Sequence, residues 1–228
     1  QKKNIIDEDL FQDLIWVLKE EILNKSEKIK KVIEANKLTT SQNEIIFIVQ
    51  YLNSIESLNY LETRGRDSAS LSFNFKTTSK IDLNETFGNS KEISFFQKQI
   101  SKNNFIFNIT IKYANSIGYS GENLSKIKNK IEDIKFLSKI NFSSILGFFI
   151  VGHTRWASVG SVNINNCHPL IDKHKNNVSF FYMNGDITNS NDIIKNKKNK
   201  NNFYLQDKKC TNDLSSLPSL KYNNTIKI

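Results

Sequence analysis

The chain has 228 residues and a formal net charge of +9, enough for one domain with a sizeable core or one domain carrying insertions. It has no run of about 18 apolar residues, so no membrane span is expected. The polar, acidic start, Gln1 to Asp9, resembles neither a signal nor a transit peptide, and two cysteines, Cys167 and Cys210, give no disulfide framework, which suits a reducing cytoplasm.

Asp7 can cap a helix running to about Ala35, with Leu10, Leu14, Leu18 and Ile22 at helical spacing. Residues 1–40 read as a helical insertion. A second helix starts near Ser41, where Ser41 and Glu44 form a capping-box pattern, and ends before Gly65. Ala69, Leu71, Phe73 and Phe75 alternate with polar residues and predict a strand; Phe105 to Tyr113 predict another. Between them, Thr77 to Gln99 is polar and Ser/Asn-rich and reads as loop or insertion. Gly121 to Ile140 reads as helical. Gly147 to Thr154 and Val178 to Met183 are apolar runs that predict buried strands, His174 falls in a Lys-rich loop, and Lys195 to Asn202 reads as a surface loop. Phe203 to Ile228 is expected to hold a short strand and a helix start. Helices and strands in this order predict a layered α+β or α/β domain.

The lysines are scattered apart from the run Lys195 to Lys200, no nucleic-acid recognition motif accompanies them, and neither nucleic acid nor membrane is expected as a partner. Against that Lys-rich background, only three arginines occur among 32 basic residues: Arg64, Arg66 and Arg155. Lys serves wherever charge alone is needed, so Arg at these places points to a planar, bidentate guanidinium.

Four segments could carry chemistry. Arg64-Gly65-Arg66-Asp67-Ser68-Ala69 sits at a helix-to-strand junction and also reads as a turn in which Asp67 pairs with an arginine. Gly152 to Gly160 follows a strand; there Arg155 could clamp a carboxylate and Trp156 could wall a pocket, or the two could simply stack. In Asn166-Cys167-His168-Pro169, a buried structural Cys167 is favoured over a Cys/His nucleophile, and no second cluster supports His168 as a metal ligand. Met183-Asn184-Gly185-Asp186 is either a turn or an amide and a bare N–H set to meet an oxyanion.

In order and wording these segments resemble the class II (N-terminal nucleophile) glutamine amidotransferases. That family shows R-G-x-D-S-A, then H-T-R-W-A, then N-x-H-P, then N-G, then a downstream Asp; here these are Arg64 to Ala69, His153 to Ala157, Asn166 to Pro169, Asn184-Gly185, and Asp213. The run Ile117-Gly118-Tyr119-Ser120-Gly121-Glu122-Asn123 resembles a stretch in sugar-phosphate members. The resemblance spans roughly residues 43 to 220 and is closest to a divergent branch of the glucosamine-6-phosphate synthases, the isomerizing glutamine–fructose-6-phosphate aminotransferases.

The resemblance implies an α+β fold of the four-layer αββα type, incomplete at the N-terminus. It implies glutamine hydrolysis to glutamate and ammonia, and transfer of that ammonia to a sugar phosphate, fructose-6-phosphate giving glucosamine-6-phosphate. In such enzymes an N-terminal Cys is both nucleophile and base. By resemblance, Arg155 holds the glutamine α-carboxylate and Asp213 its α-ammonium; Trp156, Ser158 and His168 line the pocket; the Asn184 side chain and the Gly185 N–H form the oxyanion hole. No cofactor or metal is implied, and a homo-oligomer is open for the full-length protein. Arg155, Asn184 and Asp213 should converge on one cleft, and the strands ending in these segments should be neighbours.

The chain departs from the pattern in Ser158-Val159, where the family often has Thr-His, and in Met183, where a His often precedes Asn-Gly. It also begins with Gln1 and a helix where the family begins with Cys-Gly. The expectation is therefore an amidotransferase fragment, without its nucleophile and without the sugar-phosphate isomerase domains, inactive as it stands. The alternative is a non-catalytic module of the same fold that binds glutamine or a partner.

Overall fold

A computed structural model describes residues 8–81, 90–115, 119–174, 177–198 and 210–218. The chain divides into two compact units, residues 1–52 and 53–228.

In the first unit, α1 (Glu8–Trp16), a π-helical stretch (Val17–Asn24) and α2 (Lys25–Asn36) make one continuous helical run in which no side chain is buried. The run agrees with the 3.6-residue spacing of its leucines; Asp7, the expected cap, lies outside the described residues. It ends at Lys37 in the left-handed conformation (φ 52°), which lets the Leu38 N–H donate back to Ile33 O at 3.1 Å. The predicted capping box then starts α3 (Gln42–Leu61). Ser41 N–H donates to the Glu44 carboxylate at 2.7 Å, and Glu44 N–H donates to Ser41 Oγ at 3.4 Å.

The second unit is built on a four-stranded antiparallel sheet, ordered β2 (Ile93–Ser101), β3 (Asn104–Ala114), β1 (Ser68–Thr77), β4 (Ile145–Arg155). β1 is paired on both edges, and both its faces are largely buried. One face carries Ala69, Leu71, Phe73 and Phe75 and is the apolar core. Phe136, on the short helix α5 (Phe136–Lys139) that follows α4 (Glu122–Asp133), packs on Phe73 with ring centroids 4.8 Å apart. Leu58 of α3 lies so close to this face that a Cβ on Gly152 would sit 2.9 Å from it.

The other face is polar yet buried, and it shows why serines alternate with the apolar residues of β1. Ser72 Oγ bonds Thr110 Oγ1 at 2.8 Å, Thr110 Oγ1 donates to Asn108 Oδ1, and Asn108 Nδ2 donates to Asn74 Oδ1. Tyr182 O–H donates to Ser72 Oγ at 2.8 Å from the end of a two-stranded antiparallel hairpin, β5 (Leu170–His174) and β6 (Asn177–Phe181). Burial pushes the Tyr182 phenol up to about 12. Helices thus meet one face of the large sheet, and Tyr182, just past β6, reaches the other.

Five readings change. β2 occupies part of the stretch read as loop; its half-exposed sequence alternates weakly, and its pairing with β3 supplies the order that periodicity does not. β5 was not foreseen, and His174, read as loop, is its last residue. β4 is not a buried strand: it is the edge of its sheet among the described residues, with Phe149 61% exposed. An apolar run fixes extended structure but not how many neighbours the strand has. The region Gly121 to Ile140 is two helices, broken where Lys135 turns left-handed (φ 49°). Lys195 to Lys198 belong to α6 (Ser190–Lys198), while 199–202 lie outside the described residues. Of the C-terminal stretch only 210–218 is described, including a short 3₁₀ turn, Asp213–Ser216; the expected strand falls outside it, as do Ile117 and Gly118.

No helix among the described residues is long and apolar enough to cross a membrane.

Candidate functional site

Every residue assigned a role from the sequence lies on one cleft of about 500 Å³, within the range of small-ligand sites. Arg155, Trp156, Ser158, His168, Asn184, Gly185 and Asp213 line it, joined by Arg64, Gly65, His153, Met183 and Asp186.

The cleft forms where β4 ends. Arg155 is the last residue of β4, and Gly65 lets the preceding turn press against it: a Cβ on Gly65 would stand 3.0 Å from the Arg155 backbone. Arg66 and Arg155 form an isolated parallel bridge. Asp67 then holds the chain beyond β4. Its N–H donates to Arg155 O at 3.1 Å, and its carboxylate accepts the Ala157 N–H at 2.8 Å. The R-G-x-D-S-A segment therefore shapes the H-T-R-W-A segment, and Asp67 braces backbone rather than pairing with an arginine.

Arg155 is 8% exposed. Its Nη2 donates to Val159 O, and among the described residues no carboxylate pairs with it. A cation this far from water normally has a counter-charge. Trp156 stands at the rim, 62% exposed. Ser158 Oγ donates to Asp186 Oδ1 at 2.6 Å and so ties the 156–160 loop to the Asn184-Gly185 loop.

Asp213 comes from the far end of the chain. Asn166, fully buried, accepts the Thr211 and Asn212 N–H groups at 2.7 and 3.2 Å and donates to Ser161 O and Thr211 Oγ1. Next to Asp213, Leu214 packs on Leu170 of β5. Asp213 Oδ2 accepts the Ile187 N–H, leaving Oδ1 without a hydrogen bond among the described residues. Gly185 has φ 134°, open to glycine alone, and a Cβ there would meet nothing within 4 Å.

His168 and His153 face each other, with His168 Nδ1 3.0 Å from His153 Nε2. Burial, then the nearby charge of His153, Arg155 and Lys112, pushes His168 down to about 3; burial also lowers His153. Both imidazoles are neutral at pH 7. His153 was part of the motif but had no role from the sequence; nothing in its spacing tells that it reaches the loop before Asn184.

One expectation fails. The strands ending in these segments are not neighbours: β4 belongs to the large sheet and β6 to the hairpin. The cleft opens between the end of β4 and the segments that flank the hairpin, and side chains rather than a shared ladder bring the segments together. Neither thiol lines it. Cys167 is buried, with Sγ 3.4 Å from Tyr113 O, and Cys210 contacts Asn212. Among the described residues no group of three or more His, Cys, Asp or Glu could hold a metal ion.

No family model matches the chain, and no curated protein matches it. The functional reading rests on the residues and their arrangement.

Proposed function

We propose that this cleft binds glutamine and that the chain is a glutamine amidotransferase domain of the class II type, with a four-layer αββα architecture and ammonia passed to a sugar phosphate, fructose-6-phosphate by resemblance. One observation carries the binding site: a buried guanidinium, Arg155, with no carboxylate partner among the described residues, shares a small cleft with an aspartate, Asp213, whose Oδ1 has no hydrogen bond among them. Opposite charges at two points of a 500 Å³ space suit a zwitterion, with carboxylate on the guanidinium and ammonium on the aspartate. An amino acid held this way would direct its side chain along the cleft, where the Asn184 amide and the Gly185 N–H could receive a side-chain carbonyl whose oxygen gains charge on attack. Two antiparallel sheets, with helices against the larger, are compatible with the four-layer fold.

A second reading is favoured by the absence of both thiols from the cleft lining: a module of the same fold that binds glutamine without turnover. Calorimetric titration with glutamine tests what the two share. Saturable binding of L-glutamine, with glutarate and D-glutamine much weaker, is the expected result; no binding of L-glutamine would sink both.

A further inference from the structure

Met183 immediately precedes Asn184-Gly185, and two imidazoles hold both of its backbone polar groups. Met183 O lies 3.2 Å from His153 Nε2, and the Met183 N–H donates to His168 Nδ1 at 3.4 Å. The same two ring nitrogens are 3.0 Å from each other, with ring centroids 4.3 Å apart. The three contacts fix the proton at two of the four ring nitrogens. A carbonyl only accepts, so His153 Nε2 carries a hydrogen. A peptide N–H only donates, so His168 Nδ1 is bare, and it can also take a share of the His153 Nε2–H. His168 is then the neutral Nε2–H tautomer, and His153 is protonated at Nε2. A proton on His168 Nδ1 would set three donors against one another.

The two rings come from different layers. His153 is on β4, on the same sheet face as Arg155 two residues on, since they sit opposite Ser70 and Ser68 of β1. His168 leads into β5. The contact therefore links the strand bearing Arg155 to the loop bearing Asn184.

We propose that His153 and His168 form a neutral two-imidazole clamp that sets the Met183–Gly185 backbone, making both histidines positioning residues for the Asn184 amide and the Gly185 N–H. Its purpose rests on the glutamine reading above; the clamp itself does not. The charged and titratable groups around it are Lys112 on β3, Arg155 on β4, Asp186 and Asp213 on the cleft lining, and Tyr182, whose ring is 6.3 Å from His153. Both cations oppose a positive charge on His168, and Arg155 opposes one on His153.

The test is a long-range ¹H–¹⁵N spectrum of the full chain labelled at histidine, assigned with single His→Gln variants. His168 is expected as the Nε2–H tautomer with bare Nδ1, unchanged from pH 8 to pH 5, and His153 is expected to carry a hydrogen on Nε2 throughout that range. A proton on Nδ1 of His168, a bare Nε2 on His153, or titration of either ring near the ordinary value of about 6.5, overturns the clamp. A second arm uses His153→Leu and His153→Gln. The leucine should displace the Asn184 and Gly185 amide resonances while leaving glutamine affinity within about threefold, because those groups act on charge that exists only in the transition state. The glutamine variant keeps a donor for Met183 O and should restore the resonances in part. If wild type binds glutamine and His153→Leu leaves those resonances unchanged, the clamp is wrong and the functional reading stands. If the tautomers are as expected but wild type does not bind glutamine, the functional reading is wrong and the clamp stands.

Discussion

At the scale of single residues, two substitutions separate roles that the cleft holds side by side. Arg155→Lys keeps the charge but loses the planar fork, so one charge-assisted hydrogen bond is lost and glutamine should bind about 10–100-fold more weakly by calorimetry. Asn184→Ala should leave that affinity within about threefold, because an oxyanion donor acts on charge that exists only in the transition state. The reverse pattern would mean that the two roles had been exchanged. Acid should act through His168. Its folded value of about 3 lies below its ordinary 6.5, so between these the unfolded chain binds the extra proton. This group leaves stability unchanged above about pH 6.5 and lowers it by on the order of 1 kcal/mol per pH unit as pH falls toward 3. Urea unfolding at pH 7 and pH 5 should therefore show loss at pH 5, reduced in His168→Gln. The residues of this site were legible because Arg is rare in so Lys-rich a chain and because the motifs keep their order. The His153–Met183 contact was not legible, since it joins segments far apart in the chain.

At the scale of elements, the close approach at Gly65 is what brings the end of β4 to the cleft. Gly65→Ala would set a Cβ 3.0 Å from the Arg155 backbone. It should cost about 1–3 kcal/mol of stability and weaken glutamine binding as well, because Arg155 must move. Gly147→Ala, on β4 itself with nothing within 4 Å of its new carbon, is the control and should leave both nearly unchanged. Equal effects of the two substitutions in urea unfolding would show that the 65–155 contact does not position the site. The helices were readable because their signals are local: the Ser41–Glu44 box and the 3.6-residue spacing need no partner. β1 and β3 alternate cleanly because one face of each is the core. β2 and β4 were harder because they are edges, where half-exposed or uniformly apolar sequences leave the pattern incomplete, and β5 is short and rests on its pairing with β6.

At the scale of the whole molecule, the chemistry of the cleft sets a limit. With neither Cys167 nor Cys210 on its lining, the chain should release no ammonia from glutamine above a protein-free control. Turnover abolished by Cys167→Ala would instead assign the reaction to an internal thiol and break the correspondence with the amidotransferases. The long helical run of residues 8–36 has a different consequence. None of its side chains is buried, and the ion pairs Lys25–Glu21, Lys31–Glu27 and Lys30–Glu34 join residues four apart on the helix surface. Such a helix draws little on tertiary packing, and helices held by local terms alone are marginal in water. It should open and close many times for each global unfolding event. Deuterium uptake followed by mass spectrometry should then label residues 8–36 within minutes, while the amides pairing β1 with β3 stay protected for hours. Each opening frees a backbone that carries Leu10, Phe11, Leu14 and Leu18 already in contact with water, so heating should start self-association from this stretch well before the sheets melt.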